Sequence, residues 1–139
     1  MEEIQKGLKV SILASGSTGN SLFVSSGKKK ILVDAGLSGK KITQLLNSIG
    51  EDPKNLDAIL VTHEHRDHIH GVGVLARKYK MDVYANEKTW EAMDGMIGNV
   101  PVEQKQIFEM GKVLTFGDLD IESFGVSHDA AAPQFYRFH

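Results

Sequence analysis

The sequence predicts a single-domain α/β fold, and three observations carry that expectation. Short apolar runs of strand length alternate with segments whose apolar residues recur at helical spacing. A stretch rich in glycine and serine, Ser15 to Ser21, separates the first two runs as a turn. The buried run Ala58-Ile59-Leu60-Val61 opens directly into a histidine-rich segment, and open α/β sheets hold their ligands at such carboxyl ends of strands. The 139 residues, 41% apolar and 24% charged, suffice for one core and show no bias toward disorder.

The elements follow in order. Leu8, Val10 and Ile12 alternate with polar neighbours as a first strand. After the turn come Leu22-Phe23-Val24, a second turn at Ser26-Gly27, and Ile31-Leu32-Val33. Ile42, Leu45, Leu46 and Ile49 then mark a helix with Ser38 as N-cap and Gly50 as stop, and Asp52-Pro53 closes it. Ala58 to Val61 is a buried strand. Ile69, Val72, Leu75, Ala76 and Tyr79 mark the next helix, Met81 to Ala85 a strand, and Trp90, Met93, Met96 and Ile97 a helix closed by Gly98 and Pro101. The chain returns to strands at Val113 to Phe116, Leu119 to Phe124 and Phe135 to Phe138, with Gly117-Asp118 as a turn.

Four of the six histidines fall between His63 and His70, with Asp67 among them. Residues two apart on a helix point roughly 200° apart, whereas in an extended segment they point the same way. His63, His65 and Asp67 therefore form one row on a loop leaving the strand, and a helix beginning near His68 swings that imidazole toward the same centre. Imidazole and carboxylate suit zinc and other divalent metals. Glu64 and Arg66 alternate with the row and face away, and His70 is a surface residue or one that touches a ligand. The helical zinc-protease pattern is absent, because position 67, four beyond His63, is Asp.

His63-x-His65-x-Asp67-His68 after a buried strand resembles the signature of the metallo-β-lactamase superfamily of metal-dependent hydrolases. Leu32-Val33-Asp34-Ala35-Gly36 and Gly125-Val126-Ser127-His128-Asp129 are similar to two further motifs of that superfamily. Ile12 to Ser21 and Tyr84 to Trp90 resemble its bacterial YycJ branch, also called WalJ or VicX. The resemblance implies an αββα sandwich, here largely its amino-terminal half, so that residues 1–139 form one incomplete domain. It implies two divalent ions, zinc or manganese with iron also accepted, one held by His63, His65 and His128 and a second by Asp67 and His68. Asp67 would also act in catalysis by orienting the attacking water. Asp34 becomes the carboxylate that orients a ligand histidine, although a turn residue before Gly36 is an equal reading on sequence grounds. The superfamily's bridging Asp and final histidine have no counterpart before His139, and neither Asp129 nor His139 replaces them. Ser15, Ser17 and Ser21 read as turn residues and Asn20 as a contact to backbone at the site.

The branch implies a phosphodiesterase with 5′-to-3′ exonuclease activity on double-stranded DNA. Lys28-Lys29-Lys30, Lys40-Lys41 and Arg77-Lys78-x-Lys80 are candidate phosphate contacts, each also readable as a solvated face. The same ligands would equally serve an ester, thioester, lactone or β-lactam hydrolase. A third alternative is an inactive chain that binds metal or self-associates through the surface a missing half leaves. The net charge of −2 requires any DNA contact to be a local patch. Without cysteine there is neither a thiolate metal site nor a cysteine nucleophile. No apolar run approaches the ~18 residues of a membrane span. The polar start, Met1-Glu2-Glu3-Ile4-Gln5-Lys6, is unlike a secretory signal, so the expected location is cytoplasmic.

Overall fold

Strand-forming segments dominate both ends of the chain and helices its middle. The computed structural model describes residues 2–5, 7–125 and 133–139. Strands β1 (Glu2–Gln5), β2 (Leu8–Ala14), β3 (Ser21–Ser25) and β4 (Lys30–Val33) pair as successive antiparallel neighbours. Helix α1 (Gly39–Ser48) then crosses back to β5 (Ala58–Leu60), parallel to β4. Helices α2 (Arg66–Ile69) and α3 (Val72–Tyr79) lead to β6 (Asp82–Ala85), and α4 (Glu87–Met93) to β7 (Lys105–Ile107), both strands again parallel. The seven strands lie in the order of the sequence. Strands β8 (Val113–Phe116), β9 (Leu119–Phe124) and β10 (Phe135–Phe138) form a second, antiparallel sheet with β9 central.

The period-two rule sorts the strand residues into two cores. Leu32, Ile59 and Val83 face one way and pack with Ile42 and Leu46 of α1, Leu75 of α3 and Trp90 of α4. Ile31, Val33, Ala58 and Leu60 face the other way and meet Leu119 and Ile121 of β9. Helices, large sheet and small sheet thus stack as three layers of the expected four. Buried Gln134 ties the sheets together. Its backbone N–H donates to the Thr62 carbonyl at 2.8 Å and its Nε2 to the Phe108 carbonyl at 2.7 Å. Tyr136 adds an O–H bond to the Val61 carbonyl at 2.6 Å.

Ser38 caps α1 by accepting from the Lys41 N–H at 3.2 Å, and Gly50 turns the chain out with φ 79°. The one helix expected through Ile69 and Tyr79 is divided into α2 and α3, and two further differences from the sequence expectation have local causes. Helix α4 stops at Met93 instead of reaching Ile97, because Gly95 follows and the Met96 N–H closes a tight turn on the Met93 carbonyl, leaving Met96 exposed. Strands β1 and β7 are additional; as edge strands they need no apolar alternation to pair. Among the described residues, no helix is long and apolar enough to cross a membrane.

Candidate metal centre

Strands β4 and β5 end side by side, which brings residues distant in sequence to one edge. Asp34 follows β4 in a left-handed conformation, φ 62°, with its N–H bonded to the Leu60 carbonyl at 2.8 Å. A non-glycine residue rarely adopts that conformation, and here it turns the carboxylate back under the end of β5. Asp34 Oδ1 accepts from the Thr62 N–H at 2.8 Å and Oδ2 from the Thr62 hydroxyl at 2.7 Å. Oδ2 also accepts from His68 Nδ1 at 2.6 Å.

His63 and His65 follow β5, His65 in extended backbone, and their rings lie edge to face with centroids 4.5 Å apart. The row does not extend to Asp67 as expected. Helix α2 begins at Arg66 with His65 as its N-cap, so Asp67 and His68 occupy its first turn. The reason is the His68 N–H, which bonds the His65 carbonyl at 2.8 Å and winds the chain two residues earlier than expected. The turn still brings the His68 ring within 3.9 Å of the His63 ring, centroid to centroid. His70 is exposed, and His139 lies exposed at the end of the small sheet, 3.7 Å from Glu122. His128 lies outside the described residues.

The bonds decide the tautomers. Asp34 has only acceptors, so His68 carries its proton on Nδ1 and leaves the Nε2 lone pair free. The Thr62 hydroxyl gives its proton to Asp34 and therefore accepts from His63 Nδ1, at 3.0 Å, which leaves the Nε2 of His63 free as well. The hydrogen bond to Asp34 raises the His68 pKa above its ordinary value, whereas burial, helped by the nearby His68, lowers that of His63. In the metal-free protein His68 is accordingly expected to hold its second proton to higher pH than His63. An NMR titration of the imidazole nitrogens checks the order, and His63 titrating above His68 would contradict this network.

The donor set suits a divalent metal. His68 Nε2 stands 3.5 Å from Asp67 Oδ2. Two ligand atoms on one tetrahedral zinc, each roughly 2.1 Å from it, are ~3.4 Å apart. No three His, Asp or Glu side chains surround a single point among the described residues. The donors stand as a chain, the His63 ring neighbouring those of both His65 and His68, and Asp67 beside His68.

Thr62 is the member the sequence reading missed. Its signal was a hydroxyl residue between an apolar strand and the first histidine. Asn20 does contact the site's backbone as expected, since its N–H donates to the Asp67 carbonyl at 2.8 Å. Gly36 is needed at this junction, because a Cβ there would stand 1.8 Å from the Asp67 carbonyl oxygen. The basic runs gather only in part: Lys40 of α1 and Lys78 of α3 line one groove. Lys30, at the start of β4, lies about 13 Å of strand away from Asp34 and pairs with Glu51 at 2.8 Å. Arg77 is spent on the Ile97 carbonyl at 2.7 Å. Lys40 and Lys41, exposed in the first turn of α1, begin on the site's side of the sheet. Beside Asp34, Thr62 and His68 opens a cavity of about 350 Å³ walled by Leu22, Val33 and Phe138.

The sequence profile of the metallo-beta-lactamase superfamily matches residues 14–133. The chain is 71% identical over 140 aligned positions to exodeoxyribonuclease WalJ of Streptococcus pneumoniae serotype 2, covering 99% of the chain and 51% of that protein. It is 62% identical over 133 positions to exodeoxyribonuclease YycJ of Bacillus anthracis, covering 96% and 50%. The chain thus spans about half the length of these curated relatives. Among solved structures, a metallo-beta-lactamase of Cronobacter sakazakii matches with TM-score 0.77 over 99% of this chain and 58% of that one, at 18% identity. The subclass B3 enzyme BJP-1 of Bradyrhizobium japonicum matches with TM-score 0.69 over 86% and 50%, at 16% identity. At such identities the likeness is one of fold.

Proposed function

The chain belongs to the metallo-beta-lactamase superfamily, and on that premise we propose that it forms the amino-terminal part of an αββα hydrolase, a metal-dependent exonuclease acting 5′-to-3′ on double-stranded DNA. The observation that carries this reading is the Asp34–Thr62–His68 network, which leaves the His68 Nε2 lone pair facing Asp67 Oδ2. His63, His65 and His128 would hold one divalent ion, and Asp67 with His68 a second. Zinc and manganese suit these donors best, and iron is also accepted. Bound there, the ions supply Lewis-acid chemistry, making water a nucleophile near neutral pH and offsetting charge that develops on a phosphate.

The chain's own residues have separate tasks. Asp67 accepts a hydrogen bond from the attacking water and aims its lone pair. Asp34 fixes the His68 tautomer, and Thr62 fixes that of His63. Lys40 and Lys41, exposed in the first turn of α1, would supply phosphate contacts. The DNA substrate is supported by the 71% and 62% identities to proteins named exodeoxyribonucleases. A cytoplasmic location accords with that substrate. The apolar cavity beside His68 is a surface for further chain or a second copy to cover.

The test pairs metal content of the 139-residue chain with digestion of linear duplex DNA by the chain extended to its relatives' length. The expected result is bound zinc or manganese and shortening from 5′ ends that weakens as salt rises. In His63→Ala, metal and digestion are expected to be lost together. Digestion untouched by that substitution overturns the metal-centred reading, and salt-independent hydrolysis of a neutral ester in place of DNA moves the substrate to small molecules.

A further inference from the structure

The turn Ser15 to Ser21 carries a polar residue that the proposed chemistry leaves without a task. One N–H of Asn20 Nδ2 is shared between Asp67 Oδ2 at 3.0 Å and the Asp67 carbonyl at 3.2 Å, bridging 47 residues of sequence. Its orientation is fixed from the other side. The Gly16 N–H donates to Asn20 Oδ1 at 3.1 Å, and Asn20 Nδ2 donates to the Gly16 carbonyl at 2.9 Å. A flipped amide would set NH₂ against the Gly16 N–H and an oxygen against the Asp67 carboxylate, so only one orientation satisfies both ends.

We propose that Asn20 is a positioning residue that holds the Asp67 carboxylate ready for the second ion. The proposal rests on the metal-centre reading above. The backbone already joins these segments without help from the side chain: the Asn20 N–H bonds the Asp67 carbonyl at 2.8 Å, and the Gly36 N–H bonds the Asn20 carbonyl at 2.9 Å. Those bonds do not depend on the amide side chain at position 20. What the amide adds is a charge-assisted bond to one carboxylate oxygen, which stops the carboxylate rotating. Asp67 is thereby treated as His68 is. Each of these neighbouring donors is held by one polar side chain from the end of an earlier strand, Asn20 before β3 and Asp34 after β4.

The experiment measures zinc affinity of the chain by competition with a chelator, and the visible spectrum after cobalt loading, for wild type, Asn20→Ala, Asp67→Ala and the double variant. Asn20→Ala is expected to weaken zinc binding by about 10- to 100-fold and to alter the cobalt spectrum. In the Asp67→Ala background the same change is expected to do nothing further, because the effect runs through that carboxylate. Unchanged zinc affinity in Asn20→Ala, or an equal loss in both backgrounds, overturns the proposal. Asn20→Ser, which keeps a turn-forming side chain too short for Asp67, is expected to match Asn20→Ala and serves if the alanine variant does not fold. A wild-type chain that takes up no zinc would instead refute the metal centre itself, with this proposal.

Discussion

Asp34→Ala is expected to destabilise the fold by about 3 kcal/mol and to loosen the His68 ring, the larger of these effects being read as a lowered urea midpoint. The side chain is 6% exposed and accepts three hydrogen bonds, two from Thr62 and one from His68. Removing it takes away the acceptor of both the buried Thr62 N–H and the Thr62 hydroxyl. Alanine also fits poorly at φ 62°. Asp34→Asn separates the two causes. Asparagine tolerates the left-handed backbone and keeps an acceptor for the Thr62 N–H, but its amide offers an N–H where His68 needs an acceptor. It should lose less stability than alanine and still free the imidazole. An unchanged midpoint in Asp34→Ala would show that the network does not hold the two strand ends together.

Gly36→Ala should be as severe, through sterics alone. The new Cβ would stand 1.8 Å from the Asp67 carbonyl oxygen and 2.5 Å from the Asn20 nitrogen, both backbone atoms that cannot rotate away. The junction of three segments must open, at a cost near or beyond the ~3 kcal/mol upper range of overpacking. Zinc uptake should fall with it, since the Asn20 and Asp67 backbones separate. Gly95→Ala is the matched control, because a Cβ there meets nothing within 4 Å. Equal midpoints for the two variants would refute the close approach at Gly36.

The sequence showed the strands that bury both faces, because Ile31-Leu32-Val33 and Ala58-Ile59-Leu60 are apolar throughout. It also showed the cluster of imidazole and carboxylate side chains and the strand that leads into it. Edge strands β1 and β7 were illegible, since pairing at an edge needs only backbone. Asp67 was placed on an extended row because spacing alone does not say where the first helical bond forms, and the His65 carbonyl settled it two residues earlier. Thr62 and the carboxylate contact of Asn20 were hidden for another reason. Their partners lie 28 and 47 residues away, and only the pairing of strands reveals such neighbours. The superfamily resemblance was legible from motifs and agrees with the match over residues 14–133.

The large sheet keeps its seven strands in the order in which they are made. Each strand pairs with the one before it, so no connection in the sheet passes over another strand. Asn20, Asp34, Thr62, Asp67 and His68 all lie within the stretch from the β2–β3 turn to α2. Their hydrogen-bond network therefore closes among the ends of β3, β4 and β5. The small sheet joins it through Gln134, whose backbone N–H closes on the carbonyl of Thr62.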